Sequence, residues 1–300
     1  MPTIYLDAAH SDEARRHRLY GGNLYAFSPG ASATKLAELA RELSEAAFAP
    51  YDPEVAQDSM PPERYAEILA ELKPKFIHHP RAKELIAGML SEVGADIERT
   101  YFDVPRLRTM AHSQYMNAGL ALQFHSHRDT WFSAPQQQLN WWLPVYPIES
   151  ENSMAFHPQY FDRAIRNTSS GYDYDEWSRT GRQQAAKIVK KETRKQPQAE
   201  EPIELTPDVR VVTPPGGVIV FSAAQLHTTV PNTTNRTRFS IDFRTVNLDD
   251  VLEGVGAANV DSECTGTTLR DFVRASDLAP LPEEVIERYS RGAATTLVAS

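Results

Sequence analysis

From about Val104 onward the chain breaks into seven short runs, apolar or alternating in character: Arg106–Ala111, Leu120–Phe124, Leu139–Ile148, Met154–Phe156, Val209–Val212, Val218–Phe221 and Arg238–Val246. Proline, glycine, asparagine and serine fill the gaps between them. Runs this short suit strands better than helices, and their succession with turn formers between is the pattern of an all-β sandwich or barrel.

The preceding hundred residues follow a helical period instead. Leu36, Leu39 and Leu43 mark one face of a helix over Ser32–Phe48, with Ser32 or Thr34 available as N-cap and Pro50 beyond its end. Pro61-Pro62-Glu63 opens a second helix that carries Tyr65, Ile68, Leu69 and Leu72 and is expected to stop before Pro74. Pro80 opens a third with Leu85, Ile86, Met89, Leu90 and Val93, closed by Gly94. Helices first and strands after predict a mainly β single domain over residues 1–300, with a helical flank over 1–103, a β core over 104–247 and an extension over 248–300. The extension holds a last helix near Pro282–Tyr289 and a loose tail from Gly292 to Ser300.

One insertion, 167–207, interrupts the strands. Its middle, Asp175–Lys195, reads as a polar helix with Arg182, Lys187, Lys190, Lys191, Arg194 and Lys195. Either a solvated surface excursion or a lid over a pocket fits it. The basic residues also admit a site for the phosphates of a CoA thioester.

Composition narrows the chemistry. A formal charge of −9 disfavours nucleic acid as a partner. The N-terminus meets Asp7 before any apolar run develops, and no stretch approaches the ~18 apolar residues of a spanning helix. With a single cysteine, Cys264, there is no disulfide framework and no CxxC zinc site. These features predict a cytoplasmic protein whose metal ligands, if any, are histidines and carboxylates.

The segment Gln123-Phe-His-Ser-His-Arg-Asp-Thr-Trp131 supplies such ligands. At the end of a predicted strand, His127 and Asp129 share a face and can chelate one ion. A third ligand is offered by Thr213-Pro-Pro-Gly-Gly-Val-Ile-Val-Phe-Ser-Ala-Ala-Gln-Leu-His227, a tight turn and a buried strand ending in histidine. Two histidines and one carboxylate form the facial triad of non-haem iron(II) sites. In the strand that follows, Arg236, Arg238, Ser240, Asp242 and Arg244 alternate with Thr237, Phe239, Ile241 and Phe243, so that one face is polar. An inward arginine there needs a partner, and a cosubstrate carboxylate suits it.

On His127-Arg-Asp129, the Pro-Gly-Gly-Val-Ile-Val-Phe strand leading to His227, and Arg238 eleven residues later, the chain resembles the Fe(II)/2-oxoglutarate-dependent oxygenases, in their phytanoyl-CoA dioxygenase-like branch. The likeness covers about Arg106 to Val246. It implies a double-stranded β-helix, the jelly-roll or cupin-like barrel, with iron on His127, Asp129 and His227. It also implies 2-oxoglutarate as cosubstrate, its far carboxylate on Arg238 with a hydrogen bond from Ser240; Arg236 is the rival arginine. The chain departs from the family at Asn152-Ser-Met-Ala-Phe-His-Pro158, where a Pro-Gly-Ser-His loop is common, and in the long Asp129–His227 spacing.

The implied reaction couples decarboxylation of 2-oxoglutarate, giving succinate and CO2, to oxidation of a small organic substrate. Because halogenases similar to this family lack the carboxylate ligand, Asp129 favours hydroxylation or desaturation. A cupin-like pairing of His125 with His127 would want a nearby glutamate, and the next is Glu149. His112, His78 and His79 read as structural or exposed. Around the metal, Gln138, Asn140, Trp142 and Tyr146 alternate with Gln137, Leu139, Trp141 and Val145, and one of these faces lines the pocket. Asn140, Trp142, His157 and Trp131, with Thr130, are the substrate-contact candidates. The competing reading is a non-catalytic metal- or ligand-binding β-sandwich. Oligomeric state is not legible.

Overall fold

The structure is a computed structural model that describes residues 2–123, 125–184, 187–189 and 191–298. Phe124, Lys190 and the last two residues of the tail, all named above, lie outside the described residues, as does the side chain of Arg182.

In chain order the elements are β1 (Ile4–Leu6), α1 (Asp12–Tyr20), β2 (Leu24–Phe27), α2 (Ala31–Phe48), α3 (Pro62–Ile77), α4 (Pro80–Glu92), β3 (Thr100–Phe102), β4 (Arg106–Met110), β5 (Leu139–Pro144), β6 (Met154–Phe156), α5 (Tyr174–Gln184), β7 (Val209–Arg210), β8 (Val218–Ser222), β9 (His227–Thr229), β10 (Arg238–Asn247), α6 (Leu248–Glu253), β11 (Val273–Arg274) and α7 (Glu283–Val298). An eight-stranded mixed sheet runs β1-β2-β8-β5-β10-β3-β11, with β4 also on β10, and a three-stranded sheet runs β7-β6-β9. Both sheets are open, and neither closes into a barrel among the described residues.

Strand parity sorts the side chains of the large sheet. On its outer face Leu139, Trp141 and Leu143 of β5 oppose Thr245, Phe243 and Ile241 of β10, and most of these join the apolar faces of α2, α3 and α4 in one core. Trp141 stacks on Phe243 at 5.7 Å. On the inner face Trp142, Ile219 and Phe221 meet Met154 and Phe156 of the small sheet, with Phe156 edge-on to Phe221 at 4.9 Å. The same face also carries Arg106 and Arg108 of β4, Asn140 of β5 and Arg238, Ser240, Asp242 and Arg244 of β10, and the candidate site occupies that polar part of the gap.

Several local expectations change. The flank over 1–103 is not purely helical: β2 pairs with β8 and brings β1 into the main sheet. These strands of three and four residues are too short for a pattern to declare them. Neither Ser32 nor Thr34 caps α2, whose N-cap is Gly30. Glu92 at the end of α4 takes the capping role, accepting from the Ser32 amide at 3.0 Å and from its hydroxyl at 2.6 Å. Helix α3 does not stop before Pro74 but runs through it to Ile77. The proline forfeits one hydrogen bond in the last turn, where fully buried Leu72 and Phe76 hold the helix against the core.

The described part of the expected run Leu120–Phe124, residues 120–123, is no strand: Gly119–Ala121 forms a single 3-10 turn. In the insertion, α5 ends at Gln184, so the helix expected over Asp175–Lys195 covers about half that span. Past α5, Glu192 accepts from the Gly119 amide at 3.0 Å and holds Arg194 at 2.8 Å. That part of the insertion is therefore tied down beside the segment leading to His127. The expected loose tail continues α7 to Val298.

Before β8 the Pro214-Pro215-Gly216-Gly217 turn lies against α2. Gly216 has φ +81°, and a Cβ there would come within 3.0 Å of Thr34. Glycine is thus required both by conformation and by the close approach.

Candidate metal centre

His127 and His227 are joined through their backbones. Each amide donates to the other's carbonyl at 3.0 Å, an isolated antiparallel bridge that places both rings on one side, their centroids 4.4 Å apart. Asp129 opens a 3-10 turn, Asp129–Phe132, and its amide donates to the carbonyl of Ala223 at 2.9 Å. The i, i+2 pair thus shares a side as expected, but through a bridge and a turn rather than a strand end.

Ring orientation follows from hydrogen bonding. Nδ1 of His127 lies 2.7 Å from the carbonyl of His125, and Nδ1 of His227 lies 3.0 Å from that of Gln225. A carbonyl only accepts, so each Nδ1 is the donor to it and each ring turns its Nε2 inward. These Nε2 atoms stand 3.3 Å and 3.9 Å from Oδ1 of Asp129. Burial raises the Asp129 carboxyl, yet the neighbouring His127, His227 and Asn140 side chains outweigh it and hold the group at about 2. Burial pushes His227 down to about 4, aided by His127 and opposed by Asp129. At neutral pH Asp129 and His227 are therefore deprotonated, the forms that bind a cation.

Ligand atoms of His127, Asp129 and His227 all lie within 4.8 Å of one another. Two histidines and one aspartate form a single potential metal site. No protein-family model and no curated protein matches the sequence. Solved structures similar to the chain include EvdO2 from Micromonospora carbonacea var. aurantiaca complexed with 2-oxoglutarate, at 13% identity over 80% of this chain and 93% of that one, TM-score 0.44. A second is the non-haem α-ketoglutarate-dependent epimerase SnoN with Fe3+, α-ketoglutarate and nogalamycin RO, at 15% identity over 90% and 97% of the two chains, TM-score 0.41. A third, the non-haem monooxygenase ThoJ in its nickel complex, is 14% identical over 91% and 89%, TM-score 0.36.

Between the two ligands of the HxD segment, Arg128 turns the opposite way and is fully buried. Its guanidinium meets Asp261 at 3.0 Å, the carbonyls of Ala224 and Tyr160 at 2.5 Å, and that of Arg163 at 2.8 Å. Trp131 shares this anchor. Expected at the pocket, it is instead fully buried among Tyr160, Ile165 and Leu226 and donates to Asp261 at 2.7 Å. Thr130 is likewise buried, its carbonyl accepting from Ser262 at 2.5 Å. The pattern of alternating ligands around Arg128 was the one sequence sign that its side chain points away from the metal; its partner, 133 residues on, carried none.

On the inner face of the large sheet Arg238 is buried, with Nη1 donating to the carbonyls of Asn152 and Ser153 at 2.9 and 3.2 Å. Its Nε and the hydroxyl of fully buried Ser240 have no partner among the described residues. Burial pushes Arg238 down to about 10, with Asp242 opposing and Arg108 assisting, so it stays charged at neutral pH. The guanidinium lies 5.5 Å over the Trp142 ring. Trp142 pairs with Asp242 and Asn140 with Arg244, so the guanidinium leans along the face toward Asp129, which lies 4.0 Å from Arg244. Arg236, the rival, is outside β10 and exposed, paired with Glu54 at 3.1 Å.

Asn140 and Trp142 face inward as one alternative required, with Gln138 donating to Asn140 at 2.9 Å. Tyr146 leaves this face after Pro144 and packs in the helical core against Phe239 at 5.5 Å. His157 is buried. Its pKa is lowered by burial, with Asp208 and the Leu205 carbonyl acting against that, which sets it beside the end of the insertion. The inner face also carries an ion network that was not foreseen as such: Arg108 grips Asp242 at 2.6 and 3.2 Å, and Arg106 and Arg244 share buried Asp103 at 2.6 and 3.0 Å. No helix is long and apolar enough to cross a membrane among the described residues.

Proposed function

We propose that this single-domain chain is an Fe(II)/2-oxoglutarate-dependent dioxygenase that hydroxylates or desaturates a small organic substrate, its two facing sheets forming a double-stranded β-helix. The observation that carries the reading is the convergence of two inward Nε2 atoms and the Asp129 carboxylate at one point. Three ligand atoms so placed can share one cation, and two nitrogens with one oxygen are the donor set of a ferrous facial triad. The second support is the pair of orphaned polar atoms, Arg238 Nε and Ser240 Oγ, buried on the same face. An unpaired donor there is costly, and a dicarboxylate fits it. The single cysteine suits a reducing cytoplasm.

Bound iron with 2-oxoglutarate supplies oxygen activation coupled to decarboxylation. The protein's contribution is positional. His127, Asp129 and His227 hold the metal through three ligands and leave the remaining positions open; Arg238 and Ser240 take the distal carboxylate of 2-oxoglutarate and fix its direction. Trp142, buried beneath the guanidinium, excludes water from that ion pair and strengthens it. Carbonyl acceptors at both Nδ1 atoms keep the histidine tautomers ready for the metal. With the carboxylate ligand present, hydroxylation or desaturation is favoured over halogenation.

The test is turnover of 2-oxoglutarate. Oxygen-dependent succinate release with Fe(II) is expected from the native chain and is expected to vanish in His127→Ala and His227→Ala. Succinate release equal in native and variant proteins overturns the reading in favour of a non-catalytic sandwich.

A further inference from the structure

We infer that Asn140 and Arg244 are positioning residues that hold the second oxygen of Asp129, keep that carboxylate a one-oxygen ligand, and so reserve three metal positions for cosubstrate and dioxygen. The inference rests on the metal-site reading above and extends it to two residues that touch neither the metal nor, on this account, the substrate.

The geometry comes from the register of the large sheet. Asn140 on β5 and Arg244 on β10 are direct cross-strand partners, so their side chains leave the same face side by side. Asp129 presents Oδ1 to the two histidine rings at 3.3 and 3.9 Å. Its other oxygen, Oδ2, faces the Nε of Arg244 at 4.0 Å. Arg244 is itself held, since its Nη1 donates to Asp103 at 3.0 Å and its backbone amide donates to the same carboxylate at 2.8 Å.

Asn140 approaches from the other strand. Its Oδ1 accepts from Gln138 at 2.9 Å, which fixes the amide so that Nδ2 is the free donor. That Nδ2 is buried without a partner among the described residues, and the β5–β10 register sets Asn140 directly beside Arg244, whose Nε faces Oδ2 of Asp129. An orphaned buried donor beside a carboxylate whose first oxygen is committed has one chemical use there. A small movement of the carboxylate on metal binding closes both contacts to Oδ2.

This function does not require Asn140 to meet substrate, the role expected from its face alone. Partners of metal ligands typically contribute 10–100-fold to metal affinity, and the pair should show that range together with a change in coordination.

The experiment titrates Mn(II) into the full-length chain without cosubstrate, following the metal's dissociation constant and its enhancement of water-proton relaxation, which reports the waters remaining on the metal. Asn140→Leu removes the donor but keeps the volume and leaves the Arg244–Asp103 pair untouched. Arg244→Met removes the other contact, and Arg244→Lys restores a charge. Asn140→Leu and Arg244→Met are expected to bind Mn(II) about 10-fold or more weakly, with relaxation lowered by about a third as Asp129 takes a second position of three. Arg244→Lys is expected to recover part of both.

Variants with native affinity and native relaxation overturn the inference. So does weakened binding that tracks loss of cooperative unfolding in every variant, because that assigns the pair to the fold. A native chain that binds no Mn(II) sinks the metal-site reading itself, a separate outcome.

Discussion

Arg128→Met is expected to destabilise the fold by about 3–5 kcal/mol, the usual consequence of removing one partner from a buried ion pair. The guanidinium is wholly inaccessible and bonds Asp261 and three carbonyls, from Ala224, Tyr160 and Arg163. Methionine fills the volume but serves none of them. Among the described residues Asp261 would keep only the Trp131 indole and the Ile165 amide as donors to its side chain, with its carboxylate nearly buried. Lysine should rescue little, since an ammonium carries its charge at one point and cannot span acceptors spread around a planar fork. Denaturant unfolding with the slope unchanged is the check. A loss under about 1 kcal/mol would reduce Arg128 to a spectator.

A second large effect is expected at Arg238. On truncation to methionine, metal affinity should hold while 2-oxoglutarate affinity falls by about 2–5 kcal/mol, thirtyfold or more. The reason is that Arg238 reaches no metal ligand, and its Nε has no partner in the described protein. Ser240→Ala removes one neutral hydrogen bond and should cost about 0.5–1.5 kcal/mol. Calorimetric titration of 2-oxoglutarate into the Mn(II)-loaded protein, without oxygen, separates the two. Unchanged affinity in Arg238→Met, with a loss in an Arg236 variant, would reverse the assignment. The exposed Arg236–Glu54 pair makes that reversal unexpected.

What the residues declared in advance and what they concealed divide along one line. His127, Asp129 and His227 were legible because metal chemistry restricts residue types and spacing. The route to their shared side was not: a strand end was expected, and the chain uses a bridge to His227 and a turn at Asp129. The polar face of β10 was legible from alternation, whereas the division of its arginines depended on partners far along the chain. Arg244 meets Asp103, 141 residues away, and Arg128 meets Asp261. Trp131 was expected at the pocket by proximity to Asp129, but one turn of backbone was enough to bury it against Leu226. Strands β1 and β2 escaped because three and four residues carry no period; their place is decided by β8, which offers β2 an edge nearly two hundred residues later.

The most direct measurement is anomalous diffraction at the iron edge from crystals soaked with Fe(II) and 2-oxoglutarate in the absence of oxygen. The account predicts one strong peak about 2 Å from Nε2 of His127, Nε2 of His227 and Oδ1 of Asp129, with 2-oxoglutarate density running from that peak to Arg238 and Ser240. A peak elsewhere, or no peak in a crystal whose His127, Asp129 and His227 stand as described, would contradict it.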